Sequence, residues 1–103
     1  MLHKIKLELF SLLQSQYKEF DFSINDIEVI TLFDKKGDFT SNICMKFSKT
    51  LNSKPNDIAK NIIQNFSLDG IIKIEVAGPG FLNFFISDQS FINLLSEKSK
   101  TII

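Results

Sequence analysis

The stretch from residue 71 to residue 87, IIKIEVAGPGFLNFFIS, constrains the fold more than any other part of the chain. Two runs rich in β-branched and aromatic residues flank a Gly-Pro-Gly sequence at positions 78–80, a pattern typical of a β-hairpin with a three-residue loop. If Ala77 faces Phe81 across this loop, every further pair follows by counting outward. The sequence therefore predicts a hairpin with one defined register.

This register separates the hairpin side chains into two faces, because neighbouring residues of a strand point to opposite sides. The apolar face is expected to lie on the core, and its cross-strand pairs are Ile72 with Ile86, Ile74 with Phe84, and Val76 with Leu82. The other face carries the pairs Lys73 with Phe85, Glu75 with Asn83, and Ala77 with Phe81. Asn83 is thus expected on the outer face, between two phenylalanines.

The remaining segments predict helices around this hairpin. Residues 2–18 carry apolar side chains at three- and four-residue spacing and predict an amphipathic helix, and the β-branched run 27–33 predicts a strand that ends in the loop DKKGDF. Residues 40–51 have helical spacing, and a further helix is expected to begin at Pro55. A last helix is expected after residue 87. The predicted fold is α+β: one domain, residues 1–103, with a small, mostly antiparallel sheet and about four α-helices on one face.

Composition excludes several classes of function. Twelve lysines balance twelve acidic residues and there is no arginine, so the net charge does not favour strong nonspecific binding to nucleic acid. No apolar run approaches the roughly 20 residues that span a bilayer, so no membrane partner is expected. The N-terminus lacks the continuous apolar centre of a secretory signal, which makes the cytoplasm the expected location.

No catalytic or metal-binding pattern stands out. His3, the single histidine, lies in a terminal segment, and Cys44, the single cysteine, reads as a small core residue on a helix. The Gly-Pro-Gly sequence is not a dinucleotide-binding loop, because Asn83 stands where the third glycine belongs and a strand follows instead of a helix. We expect no catalytic residue, metal or cofactor in this chain.

The outer face of the hairpin has a chemistry of its own. An exposed aromatic ring can stack on an unpaired base, and an amide can donate to or accept from a base edge. Phe81, Asn83 and Phe85 would supply such a row if the face is open. Alternatively, a loop, a terminus or a neighbouring domain covers the two rings, and Asn83 satisfies a backbone group.

Two motifs carry a resemblance to a known family. The hairpin GPGFLNFFIS and the segment GDFTSN at residues 37–42, with the order of predicted elements around them, resemble the N-terminal additional domain of arginyl-tRNA synthetase over essentially the whole chain. The resemblance implies a piece of an arginine-tRNA ligase that is not catalytic alone. The ATP- and magnesium-dependent attachment of arginine would belong to a parent enzyme with catalytic and anticodon-binding domains, which lie outside this sequence.

The resemblance also implies a partner and a site. In that family the domain contacts the D-loop of tRNA(Arg), with an aromatic residue and an amide that fall here on Phe81 and Asn83. Further expected contacts are Gly78, Pro79 and Gly80 in the hairpin loop, Phe85 beside the amide, and Lys35 and Lys36 toward phosphates. The lysines could equally be solvated, and Phe85 could simply pack. The alternative function is a module that docks on another protein or on the remaining domains of the enzyme, without direct RNA contact.

Overall fold

A computed structural model describes residues 1–34 and 36–87 of the chain. Its α-helices are α1 (Leu2–Gln16), α2 (Ile43–Lys46) and α3 (Pro55–Asn65), and a single 3₁₀ turn covers Ile24–Asp26. Its strands are β1 (Val29–Asp34), β2 (Gly37–Ser41), β3 (Ile71–Ala77) and β4 (Phe81–Ile86). The predicted α+β class with a small antiparallel sheet is confirmed.

The four strands form one antiparallel sheet in the order β1-β2-β4-β3. The predicted hairpin register is confirmed at five consecutive pairs, from Ala77 with Phe81 to Lys73 with Phe85. The sixth predicted pair is wrong, because a β-bulge between Ile71 and Lys73 brings Ile71 opposite Ile86. Ile72 is consequently 69% exposed instead of lying in the core.

The helices pack on one face of the sheet and enclose a single apolar core. In the two long helices, the fully or almost fully buried residues are Ile5, Leu9 and Leu13 in α1, and Ile58, Ala59 and Ile62 in α3. They meet Phe39, Leu82 and Phe84 of the two inner strands. Each fully buried leucine, isoleucine or phenylalanine side chain stabilises the fold by roughly 1.5 to 3 kcal/mol. The apolar stripe predicted for residues 2–18 is therefore confirmed in α1.

Two local predictions around residue 40 are wrong. Residues 37–41 form strand β2 rather than part of a loop and the start of a helix, and the helix that follows covers only Ile43–Lys46. Strand β2 pairs on one side with β1 and on the other with β4, more than 40 residues away in the sequence, so its conformation depends in part on a partner that no local pattern reveals. The described ranges contain three α-helices rather than about four. The helix expected after residue 87 lies outside the described residues.

Candidate functional site

Within the described residues, the outer face is the side of the sheet that points away from the apolar core. One row of paired residues crosses it, and the row consists of Ile30, Thr40, Asn83 and Glu75. The side chains of β4 that flank this row are Phe81 and Phe85. The inner strand β4 thus places the three residues predicted for the site on one side of the sheet.

Phe81 offers an accessible aromatic ring at the loop end of β4. The residue is 39% exposed, and Ile30 on the outer face is 50% exposed. A shallow pocket of about 60 Å³ lies beside the ring, lined by Glu28, Ile30, Thr40, Ser41, Asn42 and Phe81. Pockets that enclose small ligands usually exceed about 300 Å³, so a ligand here would lie on the face rather than inside it.

Asn83 lies on the predicted side of the sheet, but its side chain is not open to solvent. It is 6% exposed, and its Oδ1 accepts a hydrogen bond of 2.7 Å from the hydroxyl of Thr40. No acceptor for its amide nitrogen is found among the described residues. The amide oxygen thus has a partner within the fold, whereas its NH2 group has none among the described residues.

Gly37 marks a close approach of strand β2 to strand β4 at Asn83. The end of the β1–β2 hairpin comes so close to β4 that a Cβ built on Gly37 would lie 3.1 Å from Cβ of Asn83 and 3.4 Å from the carbonyl oxygen of Phe84. Real Cβ atoms rarely approach so closely. A residue without a side chain is what allows the two strands to come together.

The other residues of the GDF motif also bind to β4. Asp38 Oδ2 accepts a hydrogen bond of 2.9 Å from the backbone N–H of Ile86. Phe39 is 2% exposed and lies opposite Phe84 in the core. The motif therefore fixes the strand that carries Phe81 and Asn83.

Phe85 has its own partner on the outer face. The ammonium group of Lys73 lies 4.5 Å from the centroid of the Phe85 ring and also forms an ion pair of 2.9 Å with Glu75. Both charged side chains are more than half exposed, so the ion pair itself contributes little stability. The ammonium nevertheless occupies part of the ring that a base would need for stacking.

The remaining predicted contacts fall into different environments. Gly78 and Pro79 are exposed, whereas Gly80 is buried, and a Cβ on Gly80 would lie only 2.7 Å from Cβ of Pro55 at the start of α3. Lys36 is exposed and directly precedes Gly37. Lys35 lies outside the described residues.

The described residues supply no evident catalytic group. Cys44 is fully buried, and this burial raises the pKa of its thiol to about 12, so it stays protonated and unreactive at neutral pH. Residues 1–34 and 36–87 contain no group of three or more His, Cys, Asp or Glu side chains that could hold a metal ion. In the same ranges, every helix is too short or too polar to cross a bilayer.

Sequence reasoning missed three residues of the outer face: Ile30, Thr40 and Asn42. Thr40 bonds to Asn83, and Asn42 has a buried Oδ1 without a hydrogen-bond partner among the described groups. Pattern reasoning could have found Thr40 only by assigning GDFTS to a strand, since Phe39 and Thr40 then point to opposite faces.

Comparison with known sequences identifies related proteins. Residues 3–86 match the sequence profile of the family described as arginyl tRNA synthetase N terminal domain. The arginine-tRNA ligase of Ectopseudomonas mendocina is 51% identical over 71 residues, which cover 67% of this chain and 12% of the relative. The ligase of Thermotoga maritima is 40% identical over 68 residues, covering 65% of this chain and 12% of the relative. The aligned part of the chain thus spans about an eighth of the length of these relatives.

Solved structures share the fold. The arginyl-tRNA synthetase of Plasmodium falciparum superposes with a TM-score of 0.73 at 21% identity, covering 86% of this chain and 16% of that one. The Thermus thermophilus enzyme gives a TM-score of 0.72 at 17% identity, covering 90% of this chain and 15% of that one. The architecture described above is therefore the same as that of a segment in each of these proteins.

Proposed function

The chain belongs to the arginyl-tRNA synthetase N-terminal domain family, and from this premise we propose that it is a tRNA-binding accessory domain of an arginine-tRNA ligase. Its target is the D-loop of tRNA(Arg). Attachment of arginine, with ATP and magnesium, belongs to the other domains of that enzyme. These domains are the chain's second partner.

The observation that carries the proposal is the accessible ring of Phe81 at the end of an inner strand. A 39% exposed phenylalanine is already ordered by its strand, so little side-chain entropy is lost when a base stacks on it. Stacking on an aromatic ring is worth roughly 1 to 3 kcal/mol per base. The flat face beside the ring suits an unpaired loop nucleotide better than a duplex.

The charge of the chain agrees with a base-directed contact. Twelve basic and twelve acidic residues cancel, and without arginine the bidentate grip on phosphate is absent. Lys36 supplies a local positive charge one residue before Gly37, which packs on Asn83. The isolated domain should accordingly bind weakly, with an affinity that depends more on the loop nucleotide than on salt.

The test is a titration of an unmodified tRNA(Arg) transcript into the 15N-labelled chain, followed by NMR. Shifts centred on Phe81, Asn83 and the 78–80 loop support the proposal, and Phe81→Ala should weaken binding by roughly 1 to 3 kcal/mol. Ile72→Ala is the matched control, because it also truncates an exposed apolar side chain. A transcript with a shortened D-loop should bind wild type no better than it binds Phe81→Ala.

Two results would contradict the proposal. One is unchanged affinity of Phe81→Ala for the intact transcript. The other is that the NMR signals of the outer face shift only when the catalytic and anticodon-binding domains of a ligase are added. That result would identify the face as a docking surface between domains.

A further inference from the structure

We propose that Thr40 is a positioning residue for RNA recognition: its hydroxyl orients the Asn83 carboxamide so that Asn83 presents its NH2 group and selects a hydrogen-bond acceptor on the nucleobase. This inference rests on the proposed function, since it concerns the same face and the same RNA. It adds a residue outside the hairpin, and it assigns a direction to the hydrogen bond of Asn83.

The contact between the two side chains is short and shielded from water. Thr40 Oγ1 donates to Asn83 Oδ1 over 2.7 Å, and the two residues are 7% and 6% exposed. A buried hydroxyl proton needs an acceptor, and Asn83 Oδ1 is the acceptor that the described residues provide for it. If the amide turned over, the Thr40 oxygen could accept from the NH2 group, but its own proton would lose that partner.

The backbone limits where the Asn83 side chain can start. Gly37 lies so near Asn83 that an added Cβ would be 3.1 Å from Cβ of Asn83, and the pairing of Thr40 with Asn83 between β2 and β4 fixes the distance between the two strands. The Thr40 hydroxyl therefore acts on a side chain whose base is already placed by the GDFT segment. A side chain that is already oriented before binding loses less conformational entropy when its ligand binds.

The chemical consequence is a preference between bases. With its oxygen occupied by Thr40, the carboxamide can offer a donor to a base carbonyl oxygen or an unprotonated ring nitrogen. An exocyclic amino group at the same position would meet a second donor and be disfavoured. The selected nucleotide should therefore carry an acceptor on the edge that approaches Asn83.

The experiment compares Thr40→Val, which keeps the shape and removes the hydroxyl, with Thr40→Ser, which keeps the hydroxyl. Each is titrated with the intact tRNA(Arg) transcript and with transcripts that carry an abasic residue at successive D-loop positions. For the intact transcript we expect Thr40→Val to bind roughly two- to tenfold more weakly than wild type and Thr40→Ser to restore binding. For the transcript that lacks the recognised base, wild type and Thr40→Val should bind equally.

Asn83→Asp provides an independent check, because it replaces the donor by an acceptor of nearly the same shape. It should lose affinity for the intact transcript and retain the affinity of wild type for the abasic one, apart from a charge effect common to both. If Thr40→Val weakens binding to both transcripts equally, or to neither, the positioning role is refuted. Phe81→Ala distinguishes failure of the proposed function from failure of the Thr40 role. If Phe81→Ala binds the intact transcript as tightly as wild type, the proposed function is refuted. If Phe81→Ala loses affinity and Thr40→Val does not, only the positioning role of Thr40 is refuted.

Discussion

Replacing Phe84 by alanine should destabilise the domain far more than replacing Phe81, although the two residues are close neighbours on one strand. Phe84 is completely buried and lies opposite both Phe39 and Ile74, and its ring centroid is 5.4 Å from that of Phe66. Phe81 points to the other side of the sheet and is 39% exposed. The comparison therefore tests which face of β4 is the core face.

The magnitudes follow from burial. Truncating a buried phenylalanine to alanine costs about 3 to 5 kcal/mol, and the contact with Phe66 places Phe84 toward the upper end. About three fifths of Phe81 is buried, and water fills the space that its ring leaves, so no cavity penalty is added. The expected loss at Phe81 is then about 1 to 2 kcal/mol. A domain of this size has a total free energy of unfolding of roughly 5 to 15 kcal/mol.

Urea unfolding of the 103-residue chain, followed by circular dichroism, measures both losses. A loss of about 4 kcal/mol should lower the unfolding midpoint by roughly 2 to 4 M for a slope of about 1 to 2 kcal/mol per molar urea. If Phe84→Ala is too unstable to fold, the milder Phe84→Leu should still lose about 1 kcal/mol. Equal losses at Phe84 and Phe81, or a larger loss at Phe81, would show that the two faces of β4 are assigned the wrong way round.

Two further predictions concern stability. Gly80→Ala should cost about 2 to 4 kcal/mol in urea unfolding, because its backbone has φ +138° and a Cβ would collide with Pro55. Gly78→Ala should lose only about 1 kcal/mol, because its Cβ would make an ordinary contact of 3.9 Å with the Phe81 ring and only the φ of +56° is unfavourable. Similar losses would contradict the packing role of Gly80. Burial raises the pKa of the Cys44 thiol to about 12 in the fold, so above pH 9 the thiol ionises in the unfolded chain but stays protonated in the folded one. The unfolded state then binds fewer protons, and the free energy of unfolding falls as pH rises. Relative to Cys44→Ala, wild type should lose up to about 1.4 kcal/mol per pH unit between pH 9 and 12, and parallel pH profiles would refute the burial argument.

The candidate site could be predicted only in part. The side of the sheet on which Phe81 and Asn83 lie follows from the hairpin loop and strict alternation, both of which are local properties of residues 71–87. The solvent exposure of Asn83 could not be predicted in this way, because the residues that approach its side chain include Gly37 and Thr40, which lie more than 40 residues earlier in the chain. Alternation gives the direction of a side chain, and the surrounding chain decides whether it meets solvent.

Local patterns of residues predict helix α1, the start of α3 at Pro55, and the register of the β3–β4 hairpin next to its loop. The strand at residues 37–41 and the departure of Ile72 from the core at a bulge emerge only in the folded chain. The physical reason is that helix periodicity and hairpin turns are encoded by neighbouring residues. The pairing of β2 with β4, in contrast, gains its hydrogen bonds and its burial only when distant segments meet.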